Sequence, residues 1–306
     1  MIEFQDRVAI VTGAGRGLGA AHARLLASRG AAVVVNDPGV ATDGTGEESR
    51  PADQVVAEIK EAGGAAVASY DSVATPEGGE AIVQAALDEF GGVDIVVNNA
   101  GILRDKAFHN LEWPDLDAVI DVHLKGAFYV TRPAMRHMRS DEGGHTPYGR
   151  VVVTSSNSGL LGNFGQSNYG AAKMGLVGLM KVLAIEGARY GIRVNAIAPV
   201  AGTRMTEELL GPMVEKLDPA LVSPVVAYLC SEECAVTGEI FSAAGGTVSR
   251  MFVGLTPGWF KHPEKQGALS IEDVAEHFDE IRSEDGYLVP ATSQEELQKI
   301  AGKLLS

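Results

Sequence analysis

Arg7-Val8-Ala9-Ile10-Val11-Thr12-Gly13-Ala14-Gly15-Arg16-Gly17-Leu18-Gly19 is the stretch that decides the fold. A β-branched run passes straight into a glycine-rich turn and then into a helix-forming segment, residues 20–28. Glycines at a strand-to-helix junction let backbone approach a pyrophosphate and seat it on the helix N-terminus, where unpaired N–H groups and the dipole favour anions. The spacing Gly13, Gly17, Gly19 departs from the GxGxxG of longer-chain dehydrogenases, and taken alone it fits a plain tight turn equally well. Its place between the first strand and the first helix points to a dinucleotide loop that also carries Arg16 and Leu18.

Outward from that loop, short runs rich in Val, Ile and Ala recur at residues 7–12, 32–36, 65–69, 93–97, 150–154, 193–198 and 239–242. They are apolar almost throughout, which suits a parallel sheet covered on both faces. Helical periodicity fills intervals such as 79–90 and 171–188, so the chain reads as repeated βαβ units. The expected fold is α/β, a doubly wound parallel seven-stranded sheet of the Rossmann type, over residues 1–250. A polar stretch at about 38–51 reads as an exposed insertion in the second βα connection, and residues 251–306 as a C-terminal helical extension. There, Ser270 with Asp273 predicts a capped helix over 270–282, and Ser293 with Glu296 predicts the cap of a final short helix.

With 306 residues, 45% of them apolar, the chain can bury one large core and a modest appendage. A formal net charge of -15 without a basic patch argues against nucleic acid and anionic membrane surfaces as partners. No apolar run reaches membrane-spanning length, and the first residues lack a signal-peptide pattern. The two cysteines, Cys230 and Cys234, fit a reducing cytoplasm better than a disulfide-bonded secreted scaffold. They sit at i and i+4 of an expected helix and read as core packing, with no zinc-site spacing around them, so no metal is expected. Trp113 and Trp259 read as packing residues. The last residues, Lys303, Leu304, Leu305 and Ser306, do not form the peroxisomal tripeptide.

The second strand ends at Asn36 and Asp37. A carboxylate there accepts hydrogen bonds from ribose hydroxyls and repels a 2′-phosphate, which favours NAD over NADP. Arg16 points the other way, because a cation in the glycine loop can pair with a 2′-phosphate. Ser155 and Ser156 follow the fifth strand, Tyr169 stands thirteen residues after Ser156, and Lys173 four after that. Residues at i and i+4 share a helix face, so phenol and ammonium are neighbours. An ammonium pulls a phenol's pKa down from about 10. Tyr169 can then act as general acid or base, with Ser156 holding the substrate oxygen in place for hydride transfer. A lone YxxxK is usually just a solvated helix face. Here it coincides with the glycine loop, with Asn98-Asn99-Ala100-Gly101 after the fourth strand, and with Ser156 after the fifth.

These four ordered motifs resemble the short-chain dehydrogenase/reductase family across roughly the first 250 residues. The resemblance implies that Gly13, Gly17 and Gly19 line the cofactor phosphates, Asp37 the ribose, and Asp71 with Ser72 the adenine edge. It places Asn99 in the cofactor cleft, Lys173 also at the nicotinamide ribose, and Pro199 through Thr203 at the carboxamide. Family members often carry an Asn, which maintains a proton-relay water, where this chain has His123. That residue can hold a water, titrate near neutrality, or serve only its helix. The family pairs the Tyr169 helix across a two-fold axis, and Gly170, Ala171, Ala172, Gly175 and Gly178 permit close approach, which implies a homodimer or homotetramer.

More narrowly, residues 98–105 (NNAGILRD), 123–126, 162–166 (GNFGQ), 168–169, 184–187 (AIEG) and 202–206 (GTRMT) resemble the dehydrogenase part of peroxisomal multifunctional enzyme type 2. That implies oxidation of a (3R)-3-hydroxyacyl-CoA to the 3-oxoacyl-CoA with NAD, by a free-standing version without the hydratase and sterol-carrier domains. A steroid or other secondary-alcohol dehydrogenase is the alternative within the class, and a non-catalytic nucleotide-sensing protein is the alternative outside it. Asp37 and the acidic charge disfavour a carrier-protein ketoreductase.

Overall fold

Val8–Thr12 (β1) is buried at every position, as a strand between two helix layers must be. The computed structural model describes residues 1–46, 50–140, 148–202 and 211–305. Around β1 it assembles Ala32–Asn36 (β2), Ala65–Ser69 (β3), Ile95–Asn98 (β4), Gly149–Thr154 (β5), Ile192–Pro199 (β6), Ile240–Ala244 (β7) and Thr247–Met251 (β8). Their order in the sheet is β3-β2-β1-β4-β5-β6-β7-β8. All pairings from β3 to β7 are parallel, with Val8 opposite Ala32 and Ala9 opposite Ile95. The sheet is doubly wound, but it has eight strands where the sequence reading expects seven. The extra strand, β8, escapes that reading because it is an exposed edge strand with a polar, alternating sequence. Gly245 and Gly246, both at positive φ, separate it from β7 by the two-residue turn that only an antiparallel hairpin permits.

Alternation along the strands supplies both faces of the core. Ala9, Val11, Val33, Val35, Ile95 and Val97 pack with Gly17–Ser28 (α1), Pro51–Glu61 (α2) and Ser223–Cys230 (α8) on one side. Pro76–Phe90 (α3), Gly126–Met138 (α5) and Ser167–Gly187 (α7) bring Ile82, Val130, Leu176 and Met180 to the other. Trp113–Ile120 (α4) and Asn157–Leu161 (α6) frame the C-terminal ends of the strands. Helix α8 ends at Cys230, so Cys234 lies beyond it rather than one turn along it, and both thiols are buried and free. Trp113, expected to pack, opens α4 with 75% of its surface exposed.

The chain divides into two compact units, Met1–Arg250 and Met251–Ser306. Within the second run Pro263–Gln266 (α9), Ile271–Glu276 (α10), Phe278–Arg282 (α11) and Ser293–Leu304 (α12). Ser270 and Asp273 form the reciprocal capping box of α10. The helix expected over 270–282 breaks at His277, whose ring stacks on Trp259 at 4.0 Å. Ser293 is already inside α12, and instead of the Ser293 with Glu296 pair, Glu295 reaches back to the Ala291 amide at 3.2 Å.

Helices α3 and α5 touch backbone to backbone, since a Cβ on Gly79 would stand 2.5 Å from the carbonyl carbon of Tyr129. Gly79→Ala is expected to cost about 1–3 kcal/mol of folding stability, as overpacking against an immovable backbone does. A urea midpoint equal to wild type, at an unchanged m-value, would refute that contact.

Candidate active site

β1 and β4 are neighbours at the centre of the sheet, and the chain leaves them in opposite directions, which opens a crevice at their C-terminal ends. A cleft of about 880 Å³ occupies that place. Gly13, Arg16, Gly17, Leu18, Asp37, Ser72 and Asn99 line one part of it, and His123, Ser156, Tyr169, Lys173 and Pro199 the other. The structure therefore brings together nearly all the residues singled out in the sequence. Gly19 and Asp71 are not on the lining: Gly19 is buried in the first turn of α1, and the Asp71 carbonyl accepts from Asn36 Nδ2 at 2.9 Å and its carboxylate from Ser69 Oγ at 3.2 Å. Thr203 lies outside the described residues.

The glycines are required by close approach. Gly13 has φ +61°, and a Cβ on it would lie 2.7 Å from Ala100 Cα; one on Gly19 would lie 2.3 Å from the Gly13 carbonyl. Asn99 Nδ2 donates to the carbonyls of Thr12 and Gly13, both at 3.0 Å, fastening the loop to the end of β4. Asp37 accepts the Gly15 amide on one carboxylate oxygen at 3.0 Å and the Gly39 amide on the other at 2.8 Å. Helix α1 starts after an extended Arg16, with no side-chain cap and no acidic residue in its first turn. Uncapped N–H groups beside a glycine cradle fit a pyrophosphate, and the adjoining carboxylate fits ribose hydroxyls. Gly13 and Gly17 would hold the first and Asp37 the second, while Gly19 only lets the loop pack on itself, and the dinucleotide held there supplies the acceptor or donor of hydride.

At the reactive end, Ser156 caps α6, its Oγ accepting the Ser158 amide at 3.2 Å. Tyr169 and Lys173 follow one another along α7, with Lys173 Nζ 5.4 Å from the phenol ring centroid. Lys173 is buried, donates to the Thr154 carbonyl at 2.6 Å, and has its pKa pulled down to about 7 by desolvation. Burial also raises the Tyr169 pKa; the hydrogen bond with Ser156 lowers it, and the nearby Asp105 charge raises it further. The expectation that the ammonium draws the phenol down is thus corrected for this state of the site. A lysine with a pKa of about 7 is only partly charged at neutrality, and desolvation of the phenol outweighs it. What remains available is a hydroxyl pair, Ser156 and Tyr169, converging on one position where a substrate oxygen can be held and its proton exchanged.

His123 lies in a π-helical turn, Asp121–Lys125, joining α4 to α5, a local widening that frequently marks functional sites. Its Nε2 sits 2.8 Å from the Ile102 carbonyl and 3.1 Å from the Ile102 amide, and its ring meets the Tyr169 ring edge-on at 5.1 Å. Burial and the neighbouring Lys173 charge hold its pKa well below the usual value. Both causes favour the neutral imidazole. Among the described residues its Nδ1 has no partner, which leaves that atom available to a water.

Other residues of the site have no role assigned from the sequence. Thr12 Oγ1 accepts the amides of Asn99 and Ala100 at 3.0 and 3.1 Å. Ser155 Oγ donates to the Lys173 carbonyl at 2.9 Å. Asn168 donates to the Arg104 carbonyl and accepts the Tyr169 amide. The available signal was a polar side chain at the end of an apolar strand or the start of an apolar helix, where burial forces a partner.

A glycine cradle, a ribose-side carboxylate and a Ser–Tyr–Lys end in one crevice define a dinucleotide-dependent dehydrogenase, and the chain belongs to the short-chain dehydrogenase family, whose model matches residues 7–211. It is accordingly an oxidoreductase that binds a nicotinamide dinucleotide. A short-chain type dehydrogenase/reductase of Mycobacterium tuberculosis is 54% identical over 284 residues, 92% of this chain and 96% of that protein. A hydroxyacyl-CoA dehydrogenase of the same organism is 40% identical over 258 residues, 81% of this chain and 80% of that protein. The solved structure of full-length peroxisomal multifunctional enzyme type 2 from Drosophila melanogaster is similar at a TM-score of 0.82 and 38% identity, covering 99% of this chain and 50% of that one.

Lys173 gives the site a measurable pH signature. Between its folded pKa of about 7 and the ordinary lysine value of about 10.4, the unfolded chain binds more protons than the folded one, so stability rises with pH across that window. Wild type is expected to gain stability relative to Lys173→Met as the pH is raised from 7 to 10, by urea denaturation without dinucleotide. Parallel pH profiles would contradict a desolvated lysine.

Proposed function

We propose that the protein is an NAD-dependent dehydrogenase that oxidises (3R)-3-hydroxyacyl-CoA to 3-oxoacyl-CoA. The observation that carries this reading is the Ser156, Tyr169 and Lys173 end of a cleft whose other end presents the Asp37 carboxylate. The likeness to the multifunctional enzyme supports it, since it covers 99% of this chain, extension included, and so does the likeness to a protein named a hydroxyacyl-CoA dehydrogenase. NAD rather than NADP follows from placing a carboxylate where a 2′-phosphate would have to sit. In this mechanism Ser156 holds the hydroxyl oxygen, Tyr169 receives its proton as the phenolate, and the Lys173 ammonium offsets the phenolate's buried charge.

Exposed apolar side chains on the outer faces of α5 and α7, among them Phe128, Met174, Val182 and Ile185, support a homodimer or homotetramer. Two free thiols suit a reducing compartment, and we place the enzyme in the cytoplasm. The chain's acidity disfavours nucleic acid and anionic membranes as partners. Among the described residues, no helix is long and apolar enough to cross a membrane.

The test is an activity matrix of NAD and NADP against 3-hydroxyacyl-CoA thioesters of both configurations and a hydroxysteroid panel. The expected result is NAD reduction with the R thioesters, and its loss in Tyr169→Phe with dinucleotide affinity retained. Asp37→Asn is expected to shift the NAD-to-NADP preference by about tenfold, equivalent to roughly 1.4 kcal/mol, by removing one repulsive charge. Faster turnover of a hydroxysteroid than of every thioester would establish the alternative substrate class, and binding without any turnover would establish a sensor.

A further inference from the structure

We propose that Arg104 is a positioning residue that couples the segment 38–46, beside the glycine loop, to the seating of Tyr169. Val40, Ala41, Thr42 and Gly44 line the cleft next to Asp37, so this part of the insertion forms a wall of the dinucleotide site. Two bonds and one packing contact fasten it to residues 102–104, the stretch that follows the asparagine turn. The Leu103 amide donates to the Thr42 carbonyl at 2.9 Å, and Arg104 Nε donates to the Asp43 carbonyl at 2.9 Å. Gly44, at φ +84°, lies so close to Ile102 that a Cβ would be 3.2 Å from its Cδ1.

The same stretch reaches the reactive end. The Arg104 carbonyl accepts from Asn168 Nδ2 at 2.9 Å, and its guanidinium pairs with Asp115 at 3.5 Å. The Asp115 carbonyl accepts from the same Asn168 nitrogen at 3.3 Å. Asn168 is only 1% exposed, and its remaining oxygen takes the Tyr169 amide at 2.8 Å. Arg104 is therefore bonded to the cleft wall through its side chain and to the residue orienting Tyr169 through its backbone. Whatever holds 38–46 in place also holds Asn168, and by linkage the coupling acts in both directions. A guanidinium suits this role because its planar fork can serve a carbonyl and a carboxylate together, which an ammonium does less well.

The inference rests on the dinucleotide reading of the cleft and not on the acyl-CoA substrate. Gly44→Ala tests it from the far side, since a methyl at that left-handed position displaces the segment without touching Arg104 or Tyr169. Arg104→Ala tests it from the middle, with Arg104→Lys as the milder variant should the alanine form fail to fold. NADH and NADPH affinities are read by fluorescence titration, which needs no substrate. The kcat is read at saturating dinucleotide with whichever secondary alcohol is turned over. Each single variant is expected to raise the dinucleotide Kd by about 2- to 10-fold, what one hydrogen bond contributes, and to lower kcat at saturation. The double variant should fall no further than the more impaired single one. Raised Kd with unchanged kcat in Gly44→Ala, additive losses in the double variant, or unchanged Kd in both singles would each overturn the coupling.

Discussion

One hydroxyl holds the crevice in shape. Thr12 stands at the last position of β1 and gathers the amides of Asn99 and Ala100 onto its Oγ1, so the ends of β1 and β4 are tied where the chain departs in opposite directions. Asn99 returns the bond by donating to the Thr12 and Gly13 carbonyls. With those groups spent on each other, the glycine loop has one shape, and the first amides of α1 are left facing the cleft. The fold supplies a crevice of this kind in general terms; this reciprocal knot ties its two sides together at the base.

The reactive end is built on a different economy of charge. Tyr169 and Lys173 both lie under strong desolvation, which pushes the phenol up and the amine down. Each shift favours the neutral partner, so the pair resists ionising until something else in the cleft offsets the burial. Neighbouring groups are arranged to spare the proton on the phenol for exchange: Ser155 ties down the Lys173 backbone, Asn168 ties down the Tyr169 amide, and His123 stays neutral against the ring edge. A neutral imidazole there is a steric and hydrogen-bonding element that does not add a second positive charge beside Lys173.

Much of this was legible in the sequence, and the reason is periodicity. Strands buried on both faces leave continuous Val, Ile and Ala runs, so β1 to β7 stand out, and the glycine loop and YxxxK sit at their expected junctions. β8 was hidden because an exposed edge strand has no apolar run, although Gly245-Gly246 was a readable hairpin signal. The break at His277 was hidden because it involves a ring stacked on Trp259, a contact between residues far apart in sequence. Site roles divided the same way. Residues that carry chemistry were found by type, whereas Thr12, Ser155 and Asn168 act through hydrogen bonds to backbone, which no spacing rule encodes. The pKa of Tyr169 was misjudged because a helix face says who is adjacent and nothing about how deeply the pair is buried.

Asp37, the residue proposed to select the dinucleotide, is also part of the fold. One carboxylate oxygen takes the Gly15 amide inside the glycine loop, and the other takes the Gly39 amide at the start of the insertion. The side chain that fits ribose hydroxyls therefore also ties the glycine loop on one side and the start of the cleft wall on the other. Neutral replacements keep some of those bonds and lose the charge, so affinity for any dinucleotide and preference between dinucleotides are separable in principle at this position. Small uncharged residues would lose both. The carboxylate's shape and its charge thus contribute to different properties, and cofactor choice cannot be changed here by size alone.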